Sequence, residues 1–174
     1  MSITNCILDN GIALGCKDSL GGIKEAYIAT FNGSEAYTID LATDVITEIS
    51  GTETFYKFEQ RNEQGEFTQT GNHSVENGSN FWEQVVSLIF TKNDAEKRNI
   101  LKVLAQAPLL VIIKDQNNKY WVVGETNAAD LTSSTASAGK AYGDLNGTTI
   151  SITGKEPYPA REISEAGFIL LPKG

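Results

Sequence analysis

The sequence predicts a mainly β protein: an antiparallel β-sandwich or barrel with one packed α-helix at about 94–106 and a long protruding β-hairpin at about 52–76. Three observations carry this. Runs rich in β-branched and aromatic residues recur between turns built on Asn, Asp and Gly. Only one stretch spaces its apolar residues clearly as a helix does. The length of 174 residues, 40% of them hydrophobic, suits one domain with a substantial core.

Residues 1–22 are Gly-rich (Gly11, Gly15, Gly21, Gly22) and weakly patterned, which predicts an extended N-terminal arm. Residues 23–174 then form the sandwich domain, with a C-terminal extension at about 155–174. Residues 23–31 read as a first strand, closed by the turn signal Asn32-Gly33. Residues 35–41 and 45–49 read as two more. Residues 52–60 and 66–75, joined by a turn over Asn62-Glu63-Gln64-Gly65, read as the two arms of the long hairpin. Its second arm has one wholly polar face (Glu66, Thr68, Thr70, Asn72, Ser74) and one only partly apolar. Such a hairpin buries little of itself and exposes edges that invite another chain.

Residues 81–90 are apolar and read as strand, with helix as the alternative. Asn93 with Glu96 three residues later is a capping-box pattern, and Ile100, Val103, Leu104 and Ala107 form a helical stripe that Pro108 ends. Leu109-Leu110-Val111-Ile112-Ile113 and Lys119-Tyr120-Trp121-Val122-Val123 read as strands around a turn at 115–118. Residues 125–143, small and polar, read as a surface loop. Residues 148–153 alternate as a strand, and Phe168-Ile169-Leu170-Leu171 is a short apolar segment.

The composition excludes several function classes. With 14 Lys+Arg against 22 Asp+Glu the formal charge is −8, unlike a protein that grips nucleic acid by neutralising phosphates. No apolar run has membrane-helix length, and a basic segment followed by an apolar one is not seen at the start, so neither a membrane span nor a signal peptide is expected. Cys6 and Cys16 read as free thiols in a reducing compartment, with a bridge between them as the alternative. His73 is the only histidine, so His-rich metal sites and His-pair catalysis are not expected, and it reads as a solvated or interface strand residue. The Gly15–Gly22 run lacks the Gly-Lys-Ser/Thr of a phosphate loop, and Asp144-Leu145-Asn146-Gly147 lacks the spaced carboxylates and distal Glu of a calcium loop. Nothing places Glu53 and Glu59, or Glu162 and Glu165, across a pocket as a glycosidase pair. Trp82 and Trp121 read as core, and Tyr120 and Trp121 are adjacent and so point to opposite faces. No catalytic, metal or cofactor site is expected.

The residues that remain resemble the bacteriophage tail-tube or tail-ring structural proteins. The likeness is carried by the opening 11–28, the polar hairpin, the helix after Thr91, Val122-Val123-Gly124, and the run 137–147 with the strand that follows it. It implies a β-sandwich with a flanking helix whose hairpins join in a ring, usually a hexamer. It further implies rings stacked into a tube, chain ends touching the next ring, and a genome that passes through without being bound. On this basis Glu53, Lys57, Glu59, Glu66, Thr68 and Thr70 are the candidate lumen-facing set. Phe55, Tyr56, Phe58, Phe67 and Val75 are the candidate contacts between subunits. On the first hairpin arm Tyr56 and Phe58 alternate with Lys57 and Glu59, so a slip of one residue exchanges its faces. The partners implied are further copies of the chain and other tail or neck proteins, and the site is the virion tail, assembled in the host cytoplasm. The alternatives are a neck, connector or tail-terminator ring, a head-decoration protein, or a carbohydrate- or receptor-binding sandwich.

Overall fold

The computed structural model describes residue 8 and residues 10–174. Its organisation follows from one strand. Leu109-Leu110-Val111-Ile112-Ile113 offers no polar side chain to water, so a strand made from it has to be covered on both faces. It forms β7 (Leu109–Asp115). Leu109, Val111 and Ile113 point into one core, Leu110 and Ile112 into a second core on the other side.

β1 (Ile23–Thr30) pairs antiparallel along one edge of β7, and β4 (Tyr56–Glu59) pairs with the far edge of β1. β8 (Tyr120–Val123) pairs with the other edge of β7. This first sheet, β4-β1-β7-β8, lies between two coverings. A second sheet covers the first core, in the order β9 (Ala129–Ser137), β10 (Gly147–Glu156), β6 (Ser79–Thr91), β5 (Glu66–Ser74). Val86, Leu88, Ile150 and Ile152 are its fully buried inner residues. α1 (Ala95–Leu104) adds Leu104 to the edge of this core. The second core is closed by the hairpin of β2 (Ala36–Asp40) and β3 (Val45–Ser50), by β11 (Glu162–Ile163) and by α2 (Glu165–Ile169). Phe168 of α2 packs edge-on against Tyr27 and stacks on Tyr120 at a centroid distance of 4.2 Å. The predicted class is therefore present: a mainly β sandwich with a packed helix. Among the named strands every pairing is antiparallel except the Ile163–Ile46 pair of β11 with β3.

The chain changes sheets at Gly124. Its φ is +79°, and a Cβ there would stand 2.7 Å from the Ala129 amide nitrogen, so the corner requires glycine. Beyond it Ala129 meets Leu109, the one pair that ties β9 to β7.

Several expectations are corrected. The long hairpin is β5–β6, running from Glu66 opposite Ser87 to Ser74 opposite Ser79, and residues 52–60 are not part of it. β4 belongs instead to the first sheet, because Phe55 and Phe58 are drawn into the two cores. The segment 60–65 crosses between sheets, with Gln60 accepting the Ile89 amide and Gly65 accepting the Ile23 amide. The true hairpin turn holds Asn77-Gly78, with Gly78 at φ +60°. The helix is capped by Asp94, whose carboxylate accepts the Lys97 amide at 2.9 Å, while Asn93 bonds Ser137, Asn146 and Thr148. Ile100 and Val103 of the expected stripe face solvent. The middle of the expected loop 125–143 is the strand β9, whose side chains from Thr132 on are exposed on both faces and so show no alternation. The expected C-terminal extension supplies Ile163, Phe168 and Leu171 to the second core.

Candidate assembly surface

The outward face of the second sheet can be read from its registers. Glu66, Thr68 and Thr70 of β5 stand opposite Ser87, Val85 and Glu83 of β6. These in turn face Ser151, Thr153 and Lys155 of β10. Thr153 faces Asp130 of β9, and a bulge between Ser151 and Ile152 lets the Thr132 and Thr153 hydroxyls share a hydrogen bond at 3.0 Å. The result is a plane of hydroxyls carrying three carboxylates (Glu66, Glu83, Asp130) and one ammonium (Lys155).

Both margins of this sheet are open among the described residues. β5 is the last strand of the order, with no strand on its outer edge. β9 pairs with β10 on one side and with β7 only at Ala129 on the other, so the outer edge of Leu131–Ser137 has no strand beside it. Two open edges on one sheet are a template for chain-to-chain pairing.

The expected lumen set divides. Glu66, Thr68 and Thr70 lie together on the outward face. Glu53, Lys57 and Glu59 are elsewhere, at the edge of the first sheet. There Lys57 pairs with Glu25 at 2.9 Å and with Glu59 at 3.1 Å, and Glu53 accepts from Asn32. Burial opposes charge on Glu25, but the Lys57 ammonium and the Tyr27 hydroxyl outweigh it and hold the carboxyl below its usual range. Of the expected subunit contacts, Phe55 is fully buried in its own second core, and Phe58 and Phe67 pack against the first. Tyr56 and Val75 are exposed, Val75 at the hairpin turn. The Glu83, Ser151, Thr153 and Asp130 part of the face was missed. The strict alternation of Thr149, Ser151 and Thr153 with Ile150 and Ile152 was the signal for it.

His73 donates through Nδ1 to Asn80 at 2.7 Å and meets Trp82 edge-on. Cys16 is exposed and free, and Cys6 lies outside the described residues. Among the described residues no group of three or more His, Cys, Asp or Glu is placed to hold a metal ion. Among the described residues no helix is long and apolar enough to cross a membrane.

A second charged cluster fastens the segment 157–161 over the end of the sandwich. Arg161 pairs with Glu125 and with Asp44. Gln84 donates to the Tyr158 carbonyl, and Gln69 accepts the Ala160 amide at 2.8 Å. Burial raises the Glu125 carboxyl, and Arg161 offsets this only in part. Glu156, almost fully buried, accepts the Thr126 and Asn127 amides. These groups are structural fasteners on the backbone.

Neither a protein-family model nor a curated protein matches this sequence.

Proposed function

We propose that the protein is a self-assembling structural subunit of a phage tail tube, a conduit for genome delivery. The observation that carries this reading is the four-stranded sheet β9-β10-β6-β5, with its hydroxyl- and carboxylate-bearing outward face and two open edges. The strands alternate in direction, so β9 and β5 run antiparallel to one another. When copies are related by rotation about a common axis, β5 of one copy meets β9 of the next in antiparallel sense. Such a contact is heterologous and closes into a ring, which abolishes both edges. With strands about 4.8 Å apart and tilted about 40°, a barrel of roughly 24 strands, six copies' worth, is about 50 Å across. The outward face of the sheet becomes the inner wall. Its excess of carboxylates repels a phosphate backbone at short range, so a duplex slides through and is not held.

Electron microscopy and sedimentation across a concentration series test this. Rings with an open centre, stacking into tubes, are expected. Single rings that never stack would instead support a neck, connector or terminator role. A chain that stays monomeric at every concentration overturns the reading. In the paired variant Ser134→Lys/Ala136→Lys, which charges the β9 margin, ring formation is expected to be lost while the monomer stays folded.

A further inference from the structure

The chain holds four Asn-Gly pairs, at 10–11, 32–33, 77–78 and 146–147. Such a pair can rearrange without a catalyst. The glycine amide nitrogen attacks the Cγ of the asparagine side chain, a C–N bond forms, and ammonia leaves with the side-chain nitrogen. Water then opens the resulting five-membered succinimide at either carbonyl, which leaves aspartate or isoaspartate. One water enters and one ammonia departs. Glycine permits this because no Cβ screens its amide. The fold controls it through two requirements. The carboxamide has to turn toward the backbone, and the glycine N–H has to be free to give up its proton.

Exposure does not separate the four pairs, since every one of these asparagines is exposed. Hydrogen bonding does. Asn32 is held at both ends of its carboxamide. Its Oδ1 accepts the Ser34 amide at 2.8 Å and the Ser34 hydroxyl at 2.7 Å, while its Nδ2 donates to the Gly51 carbonyl at 3.0 Å and to Glu53 at 3.3 Å. Asn146 accepts from the Asn93 Nδ2 at 3.1 Å through its side chain and from the Lys92 amide at 2.6 Å through its carbonyl. Its glycine is buried between Thr91 and Ser137, where a Cβ would stand 2.2 Å from the Phe90 carbonyl oxygen. Neither pair has the room or the freedom to close a ring.

Asn77 differs on every count. It sits in the turn that joins β5 to β6, and its own amide donates to the Ser74 hydroxyl at 3.3 Å. Among the described residues neither its carboxamide nor the Gly78 amide has a hydrogen-bond partner. Around Gly78 the space is open, with nothing within 4 Å of the position a Cβ would take. Asn10, in the arm, is unfastened in the same way except that its Oδ1 accepts the Gly11 amide at 2.9 Å, which sets that nitrogen against the carboxamide it attacks.

We propose that Asn77 is a site of spontaneous succinimide formation, and that the fold suppresses the same reaction at Asn32 and Asn146. Either product adds a carboxylate beside Glu76 at the tip of the long hairpin. Isoaspartate also routes the main chain through the side-chain carbon, which inserts a methylene into the turn that closes Ser74 against Ser79. The tip of the hairpin thus changes in charge and in length as the molecule ages. Nothing in this chemistry depends on how copies of the chain assemble.

The test stores the full chain in warm, mildly alkaline buffer and follows each asparagine by peptide mass spectrometry, which reads the exchange of an amide NH₂ for OH and places it by fragmentation. Asn77 is expected to convert at a rate close to that of Asn10. Asn32 and Asn146 are expected to convert more than about tenfold more slowly, because each has to wait for a local opening of its hydrogen bonds. The Asn77 product is expected to be a mixture of aspartate and isoaspartate, the mark of a succinimide. Conversion of Asn77 as slow as that of Asn32 and Asn146, or of those two as fast as Asn77, overturns the proposal. The same storage in urea that unfolds the chain is expected to bring all four pairs to similar rates. A difference between them that survives unfolding shows that local sequence and not the fold sets it, and overturns the proposal as well.

Discussion

The two helices of this fold make opposite use of their residues. α2 has five residues and buries Phe168 between Tyr27 and Tyr120, completing the second core. α1 has ten, sinks Leu104 and leaves Ile100 and Val103 in water. Helix length thus says little about what a helix contributes to the monomer. α2 is finished within its own chain. α1 presents one wall of an apolar groove, with Ile100 and Val103 open to water while Leu101 and Leu104 pack on the first core.

Substitutions sharpen this contrast. Phe168→Ala is expected to cost about 3–5 kcal/mol in chemical denaturation, because it empties the centre of a closed core. Leu104→Ala should cost about 2–3 kcal/mol, at the low end for a buried leucine, since the open groove lets the site collapse. If the two costs prove equal, the two helices are equally integrated and the contrast fails. Val103→Ser should change stability by less than about 0.5 kcal/mol, as surface substitutions do, which chemical denaturation beside the parent checks.

The smallest effect concerns the cap of α1. The Lys97 amide holds the Asp94 carboxyl below the ordinary aspartate range. The folded state therefore binds this proton less readily than the unfolded chain does. The contribution is present above about pH 4 and is lost as pH falls through the lowered folded value. Asp94→Asn keeps a capping oxygen and removes the titration. Its melting temperature is expected to follow that of the parent at neutral pH and to fall less steeply in acid.

What the sequence disclosed tracks how locally each element is determined. Residues 109–113 are apolar at every position, and the Ile100–Ala107 spacing admits only a helix, so β7 and α1 were legible. The pairing of residues 52–60 was not, because a strand's partner is chosen by what its side chains bury. Phe55 and Phe58 are claimed by cores built largely from strands distant in sequence. β9 escaped notice because a strand exposed on both faces carries no alternation. Of the outward face, Glu66, Thr68 and Thr70 could be read from one polar stripe. That Ser151 and Thr153 alternate with Ile150 and Ile152 was legible, but which residues stand beside Glu66, Thr68 and Thr70 was not, since β6 meets β10 across a long stretch of chain, from Thr91 opposite Gly147 to Trp82 opposite Glu156.

The pairing of β1 with β7 has a consequence in time. Thr30 meets Leu109 and Ile23 meets Asp115, so the strand made first waits for one made much later. At about 5–20 residues per second, the ribosome needs roughly 4–16 s to make the stretch between them. For those seconds the first strand lacks the neighbour that covers its edge and most of its apolar side chains. Long-range pairings of this kind form slowly even in a finished chain. During that period the open strand edges of the chain are most numerous and neighbouring nascent chains are closest, so edge-to-edge pairing between chains is easiest then.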